Sequence, residues 1–506
     1  MTGSISPIQA LQQQKLLLQL EYNTEKDTFR QMTEQIGIGR KVKRGDAWWP
    51  LRIGKSYYNS LNQLTIEVFR TTDEEIEHNF EFGRPVVFFK TSDETRDSGE
   101  KGITYFRFSG TVSYVDGDRM VVTVPEGTSL VDLQSCERIG VQLSFDETSY
   151  RLMMEALDRV IRGKGRLGYL RDLFYSHQKP ETFSFQPMHF PYLNPTQEQA
   201  VNEVLRAKDV AIVHGPPGTG KTTTLVEAIR ETLMRESQVL VCAQSNMAVD
   251  WISEKLVDRG INVLRIGNPT RVNDKMLSFT YERRFEAHPD YPELWSVRKA
   301  IRQLREGKQK NSEGRHQKIA RLRERQAELE MRINAALFSE ARVVACTLVG
   351  AANKLMVGQK FSTLFIDEAA QALEPACWIA IRRSGRVILA GDHQQLPPTI
   401  KNYEAMQQGL GRTLMQRIVE SQPDSVTLLT MQYRMNDAIM RFSSEWFYGG
   451  KLTSSDSVRH RSVIDYDTPI VWVESEEPEQ YIGENHGRIN KAEAELLLLH
   501  LEGYIN

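Results

Sequence analysis

The stretch HGPPGTGKTTTLVEAI, His214–Ile229, is the most telling in the chain. Gly215, Gly218, Gly220, Lys221 and Thr222 match the pattern G-x-x-x-x-G-K-[ST], and Pro216, Pro217, Thr219 and Thr223 complete the loop. Glycines are needed where a backbone wraps closely around phosphate oxygens. Lys221 brings a cation to the β and γ phosphates of ATP, and Thr222 brings a hydroxyl to Mg²⁺. The apolar run VAIVH before the loop and the helical period after it supply the strand and helix that such a loop joins. Motors, kinases, clamps and switches all carry this motif, so it specifies the nucleotide and leaves the work open.

Outward from the loop the rhythm is strand, loop, helix. DVAIVHG, QVLVCAQ, ARVVACT, STLFIDE and GRVILAGD are apolar strand cores each followed by a polar turn. That pattern predicts an α/β domain whose parallel sheet is covered on both faces. TLFIDEAAQALEP (363–375) ends such a strand in two carboxylates. Asp367 is placed to hold Mg²⁺ beside Thr222, and Glu368 to activate the attacking water. LAGDHQQLPP (389–398) offers amides that can donate to a γ-phosphate, and TLLTMQYRMNDAIMRF (427–442) offers Tyr433 and Arg434.

At 506 residues the chain exceeds one hydrophobic core, and three or four units are expected. No 18-residue apolar run and no signal-peptide pattern is present, so a cytoplasmic protein without membrane contact is expected; a monomer is the separate expectation for its oligomeric state. The four cysteines, Cys136, Cys242, Cys346 and Cys377, form no C-x-x-C pair and read as buried apolar residues. A net charge of −2 excludes a uniformly basic nucleic-acid coat while allowing a local basic stripe.

Residues 1–36 read as an amphipathic stalk helix, and 37–145 as a small antiparallel barrel, with Asp116-Gly117 as a hairpin turn. Residues 146–185 read as further stalk helices and a linker. The sheet domain occupies 186–289 and 341–420, interrupted at 290–340 by a helical insertion. Val297–Arg332 holds twelve Lys/Arg against five Asp/Glu, either a solvated helix pair or a guide for a polyanion backbone.

LNPTQ (193–197), GPPGTGKT, AQSNMAVD (243–250), DEAAQ (367–371), GDHQQLPP and QYRM (432–435) occur in the order and near the spacing of superfamily 1B helicases. The chain resembles the branch holding the immunoglobulin mu-binding and nonsense-mediated-decay helicases, over most of its length. The resemblance implies RecA-like domains, a first at 186–289 and 341–420 and the start of a second at 421–506. It implies that Gln197 reads adenine, Tyr433 packs near the base, Gln395 senses the γ-phosphate and Arg434 is an arginine finger. Ser245, Asn246 and Thr347 would touch the backbone of single-stranded RNA or DNA, along which the motor moves 5′ to 3′. Gln244 stands where the family usually has proline. The family's second domain also continues well past QYRM, so a truncated chain is expected. With the second arginine finger absent, an ATP-gated binding module with little turnover is the alternative. A ring-forming AAA ATPase shares GPPGTGKT but not the flanking motifs.

Overall fold

The computed structural model describes residues 6–34, 36–72, 75–91, 103–136, 138–267, 274–306, 313–463, 468–475, 478–482 and 487–505. They fall into two compact units divided between Leu429 and Thr430.

In the first unit, β1 (Ala47–Trp48), β2 (Leu51–Tyr58), β3 (Leu64–Arg70), β4 (Pro85–Thr91), β5 (Ile103–Asp116), β6 (Arg119–Val124) and β7 (Ile139–Leu143) form one sheet. Its order is β1-β7-β4-β5-β6-β3-β2, and every pairing is antiparallel. Only Trp49 and Pro50 separate β1 from β2. One bent strand therefore pairs with β7 at one end of the order and with β3 at the other, which closes the sheet into a barrel. Ile66, Val68, Val86, Phe88, Val112, Val122 and Val141 alternate inward to fill it. Asp116 pairs with Arg119 across a two-residue turn in which Gly117 takes φ 52°.

The second sheet of this unit holds β8 (Val210–His214), β9 (Val239–Ala243), β10 (Val263–Arg265), β11 (Val343–Thr347), β12 (Phe361–Asp367), β13 (Ser384–Gly391) and β14 (Val426–Leu428). They are parallel throughout, in the order β10-β11-β9-β12-β13-β8-β14. Every residue of β8 and β9 is buried. Val210, Ile212, Leu240 and Cys242 pack into the core on one face, and Ala211, Val213, Val239 and Val241 into that on the other. Leu11, Leu18, Leu157 and Phe174, from the stalk helices Pro7–Glu34, Glu147–Ile161 and Gly165–Phe174, belong to the first of these cores. The stalk is thus part of the layer that covers the sheet.

β14 corrects one expected boundary. Val426–Leu428 pairs in parallel with β8, and the Leu429 amide donates to the His214 carbonyl at 2.9 Å, so the first unit runs on to Leu429 rather than ending at 420. The apolar run VTLL gives no sign of which sheet it joins; pairing with β8 settles that.

The insertion consists of helices Tyr291–Glu306 and Glu313–Glu340. Several of its arginines hold protein groups. Arg298 donates to the Ser60 carbonyl and pairs with Glu330; Arg302 donates to Asn62 Oδ1 at 2.7 Å and lies over the Tyr58 ring. Arg305 pairs with Glu126, Arg325 with Glu293 and Arg332 with Asp290. Much of the basic excess therefore fastens the insertion to the barrel and closes its own surface. Lys318, Arg321 and Arg323 stand exposed without an ion partner among the described residues.

In the second unit Met431–Gln432 and Thr453–Ser454 pair in parallel, joined through helix Asp437–Phe447, the strand-helix-strand start of another α/β layer. A hairpin of Gln480–Ile482 with Gly487–Ile489 and helix Lys491–Ile505 follow.

Candidate nucleotide and nucleic-acid site

Because the second sheet is parallel, its carboxyl ends lie on one edge, and every site residue predicted in the first unit except Gln197 lies at or just after such an end. That edge is where α/β sheets bind ligands. After β8 the backbone turns through Gly218 and Gly220, both at φ 77°, into helix Lys221–Leu233. At Gly215 a Cβ would lie 2.6 Å from Lys221 Cβ, so a side chain there would displace the lysine. Thr219 is buried and its hydroxyl donates to the Pro216 carbonyl at 2.7 Å, bracing the loop. Thr222 is half-buried and Thr223 exposed at the helix start.

Gln197 reaches the same loop from helix Pro195–Arg206. Asn194 caps that helix: its Oδ1 accepts the Gln197 N–H at 2.9 Å, while Gln197 Oε1 accepts the Asn194 N–H at 3.1 Å. Gln197 Nε2 donates to the Thr219 carbonyl at 3.1 Å. The amide therefore keeps one N–H and one lone pair, the complement of an adenine edge.

Two strands from β8, β12 delivers Asp367 and Glu368. Lys221 Nζ lies 2.5 Å from Glu368 Oε1 and 3.7 Å from Asp367 Oδ1. Asp367 is 3% exposed, and burial raises its pKa above the ordinary carboxylate value against the opposing pull of Lys221. Its Oδ1 also accepts the Glu368 N–H at 2.9 Å. Glu368 takes φ 52°, a left-handed conformation unusual for a residue with a side chain, which turns the chain sharply where the strand ends.

Between these strands, β13 ends at Gly391, whose carbonyl accepts the Gly215 N–H at 3.0 Å. Asp392 Oδ2 accepts the Gln395 Nε2–H at 2.8 Å, and Asp392 Oδ1 lies 2.8 Å from His214 Nε2. His214 and Asp392 are both buried. The His214 and His393 rings lie 4.5 Å apart; burial and the neighbouring His214 lower the His393 pKa.

The residues predicted to contact nucleic acid lie just after β9 and at the end of β11. Ser245 Oγ accepts the Ala248 N–H at 3.2 Å and caps helix Asn246–Asp258. Asn246 Oδ1 accepts from Arg265, a fully buried arginine that also pairs with Asp250 at 2.9 Å. Thr347 Oγ1 accepts the Gly350 N–H at 3.0 Å. Ser245 and Thr347 brace their own loops, whereas Asn246 is tied to Arg265 of β10. The Leu348 amide donates to the Ala243 carbonyl at 3.0 Å, tying the two loops together.

In the second unit, buried Gln432 builds the loop that presents Tyr433 and Arg434. Its Oε1 accepts the amides of Arg434 and Met435, each at 2.8 Å, and its Nε2 donates to Ser454 Oγ at 2.8 Å. Tyr433 and Arg434 are exposed.

Two family models, each described as an AAA domain, match residues 192–403 and 410–506. DNA-binding protein SMUBP-2 of Mus musculus is 29% identical over 529 residues, covering 98% of this chain and 52% of that protein. The ATP-dependent helicase upf1 of Schizosaccharomyces pombe is 30% identical over 366 residues, covering 69% and 38%. The chain belongs to the superfamily 1B, Upf1-like helicases. An uncharacterized ATP-dependent helicase of Methanocaldococcus jannaschii is 30% identical over 373 residues, covering 65% of this chain and 56% of that one. The chain thus spans between roughly a third and just over half of these Upf1-like relatives.

In the first unit Asn194, His214, Arg265 and Asp392, and in the second Gln432, hold predicted residues in place, and sequence reading gave none of them a role. Asn194 alone had a usable signal, the N-x-x-Q spacing of a capping box. His214 and Arg265 reach partners far along the chain, whereas Asp392 and Gln432 also hold Gln394, Gln395, Arg434 and Met435 two or three residues on.

Proposed function

We propose that the protein is an ATP-dependent translocase that moves 5′ to 3′ along single-stranded RNA or DNA and hydrolyses ATP at the phosphate loop. The observation that carries this reading is Lys221, whose Nζ meets the paired carboxylates of Asp367 and Glu368 at the mouth of the loop. An incoming polyphosphate competes for that lysine and releases Glu368 to act as a base.

In this reading the amides of Gly215–Gly220 and Lys221 cradle the phosphates, Gln197 reads adenine with its remaining N–H and lone pair, and Tyr433 packs near the base. Thr222 and Asp367 would hold Mg²⁺; an oxygen-only donor pair suits this hard cation, which when bound neutralises phosphate charge. Glu368 accepts the proton of the attacking water, Gln395 donates to the γ-phosphate, and Arg434 supplies a cation as phosphate charge develops. Ser245, Asn246 and Thr347 present backbone donors to strand phosphates, which favours tracking without sequence preference.

Steady-state ATP hydrolysis with and without poly(U) or poly(dT) tests this reading. Strand-stimulated turnover that disappears in Glu368→Gln is expected. Tight ATP binding without stimulated turnover would replace the motor with an ATP-gated nucleic-acid-binding module. Displacement of streptavidin from the 3′ end of a biotinylated strand, and not from the 5′ end, checks the direction.

A further inference from the structure

We infer that His214 and Asp392 form a positioning pair that sets the Gln395 amide so that its N–H, and not its carbonyl, faces the γ-phosphate. The inference rests on the proposed role of Gln395 and names two residues to which that reading gives no task.

Asp392 is 3% exposed and His214 7%. Asp392 Oδ1 receives His214 Nε2 at 2.8 Å and the Gln394 N–H at 3.1 Å, which orients the carboxylate from two sides. Opposite an ionised carboxylate, His214 carries its hydrogen on Nε2. Asp392 Oδ2 then accepts one of the two Gln395 Nε2 hydrogens at 2.8 Å, while the Gln395 backbone N–H donates to the Asp392 carbonyl at 3.2 Å. A flipped amide would set Oε1 against Oδ2, two acceptors with no hydrogen between them. The carboxylate therefore dictates which amide atom is held, and the second N–H is left for an anion. A carbonyl in its place would repel a phosphate.

The pair also links two loops at their roots. His214 is the last residue before the phosphate loop, and the Gly215 N–H donates to the Gly391 carbonyl at 3.0 Å, immediately before Asp392. The His393 ring lies 4.5 Å from that of His214 and limits its rotation. Replacing His214 with an apolar residue removes one donor from a buried carboxylate. Asp392 then gains from taking up a proton, and as a neutral acid it can donate to Gln395 Oε1, which turns the amide over.

The test is the affinity ratio of a non-hydrolysable ATP analogue, AMPPNP, to ADP, measured by calorimetry on the full chain with Mg²⁺. Gln395→Ala and His214→Leu should each cut the preference for AMPPNP roughly tenfold, with ADP affinity held, as expected for one hydrogen bond to a charged group. His214→Gln, which retains a side-chain N–H donor, should restore the preference to within about twofold, and adding His214→Leu to Gln395→Ala should lower it no further. Asp392→Asn approaches from the other partner: its amide can donate to Oε1, so the preference should fall as in His214→Leu.

An unchanged ratio in Gln395→Ala would overturn the γ-phosphate assignment itself. Loss of preference in Gln395→Ala with His214→Leu and Asp392→Asn like wild type would overturn the positioning pair alone. A further drop in the double variant, or failure of His214→Gln to restore, would also overturn it, because His214 would then act by a route other than Gln395.

Discussion

Lys221→Ala should cost the protein stability as well as nucleotide binding, and the two losses can be separated. Lys221 Nζ stands 2.5 Å from Glu368 and 3.7 Å from Asp367, and the three side chains are 12%, 34% and 4% exposed. At ~4 Å and an effective dielectric of ~20, each attraction is about 4 kcal/mol before desolvation is counted. Solvent screens Glu368, and desolvating Lys221 offsets much of the gain, so the net loss expected from Lys221→Ala is about 1–3 kcal/mol. It should be larger at pH 8 than at pH 5, because burial raises the Asp367 pKa above the ordinary carboxylate value and protonation of that carboxyl relieves the unpaired charge. Urea unfolding of wild type, Lys221→Ala and Lys221→Ala/Glu368→Gln at both pH values reads the stability term. A fluorescent ATP analogue reads the binding term, expected to fall roughly 10- to 100-fold. The double variant should regain stability without regaining binding. Equal urea midpoints for wild type and Lys221→Ala at pH 8, or no recovery in the double variant, would show that the Lys221 ion pairs add nothing to stability.

Glu368→Gln keeps the shape of the site and removes the proposed base, so Mg-ATP binding should persist while hydrolysis falls by about 10²- to 10⁴-fold; an unchanged rate places the base elsewhere. Asp367→Asn should unfold at higher temperature than wild type at pH 7 while losing Mg²⁺-dependent nucleotide affinity. The folded protein binds the Asp367 proton more tightly than the unfolded chain does, so stability falls as pH rises from the unfolded value near 3.8 through the raised native one, and asparagine removes that loss; a Tm no higher than wild type counts against it. Replacing Lys318, Arg321 and Arg323 together with alanine should flatten the log–log salt slope of single-strand binding by up to about 2 if all three meet phosphates, and an unaltered slope returns them to solvent. Arg302→Ala should leave that slope intact and loosen the insertion from the barrel, visible as faster amide exchange at 58–62; unchanged exchange there would show that the contact adds nothing.

The phosphate loop, the paired carboxylates and the alternation of strand and helix were legible in the sequence because each is local. Glycines at fixed offsets, apolar runs ending in acids and a capping box are short-range solutions to short-range physical demands. Tertiary structure alone decided three things. VTLL at 426–429 joins the first sheet because the edge of β8 offered it a parallel partner. The basic insertion fastens itself to the barrel through Arg298, Arg302 and Arg305, since the direction in which an arginine points depends on a neighbour more than 170 residues away. His214 and Asp392, 178 residues apart, meet because β8 and β13 lie side by side. The residues proposed for the chemistry can be read one at a time, and Asn194 and Gln432 orient theirs locally, whereas the meeting of His214 with Asp392 depends on strand order, which no window of sequence contains.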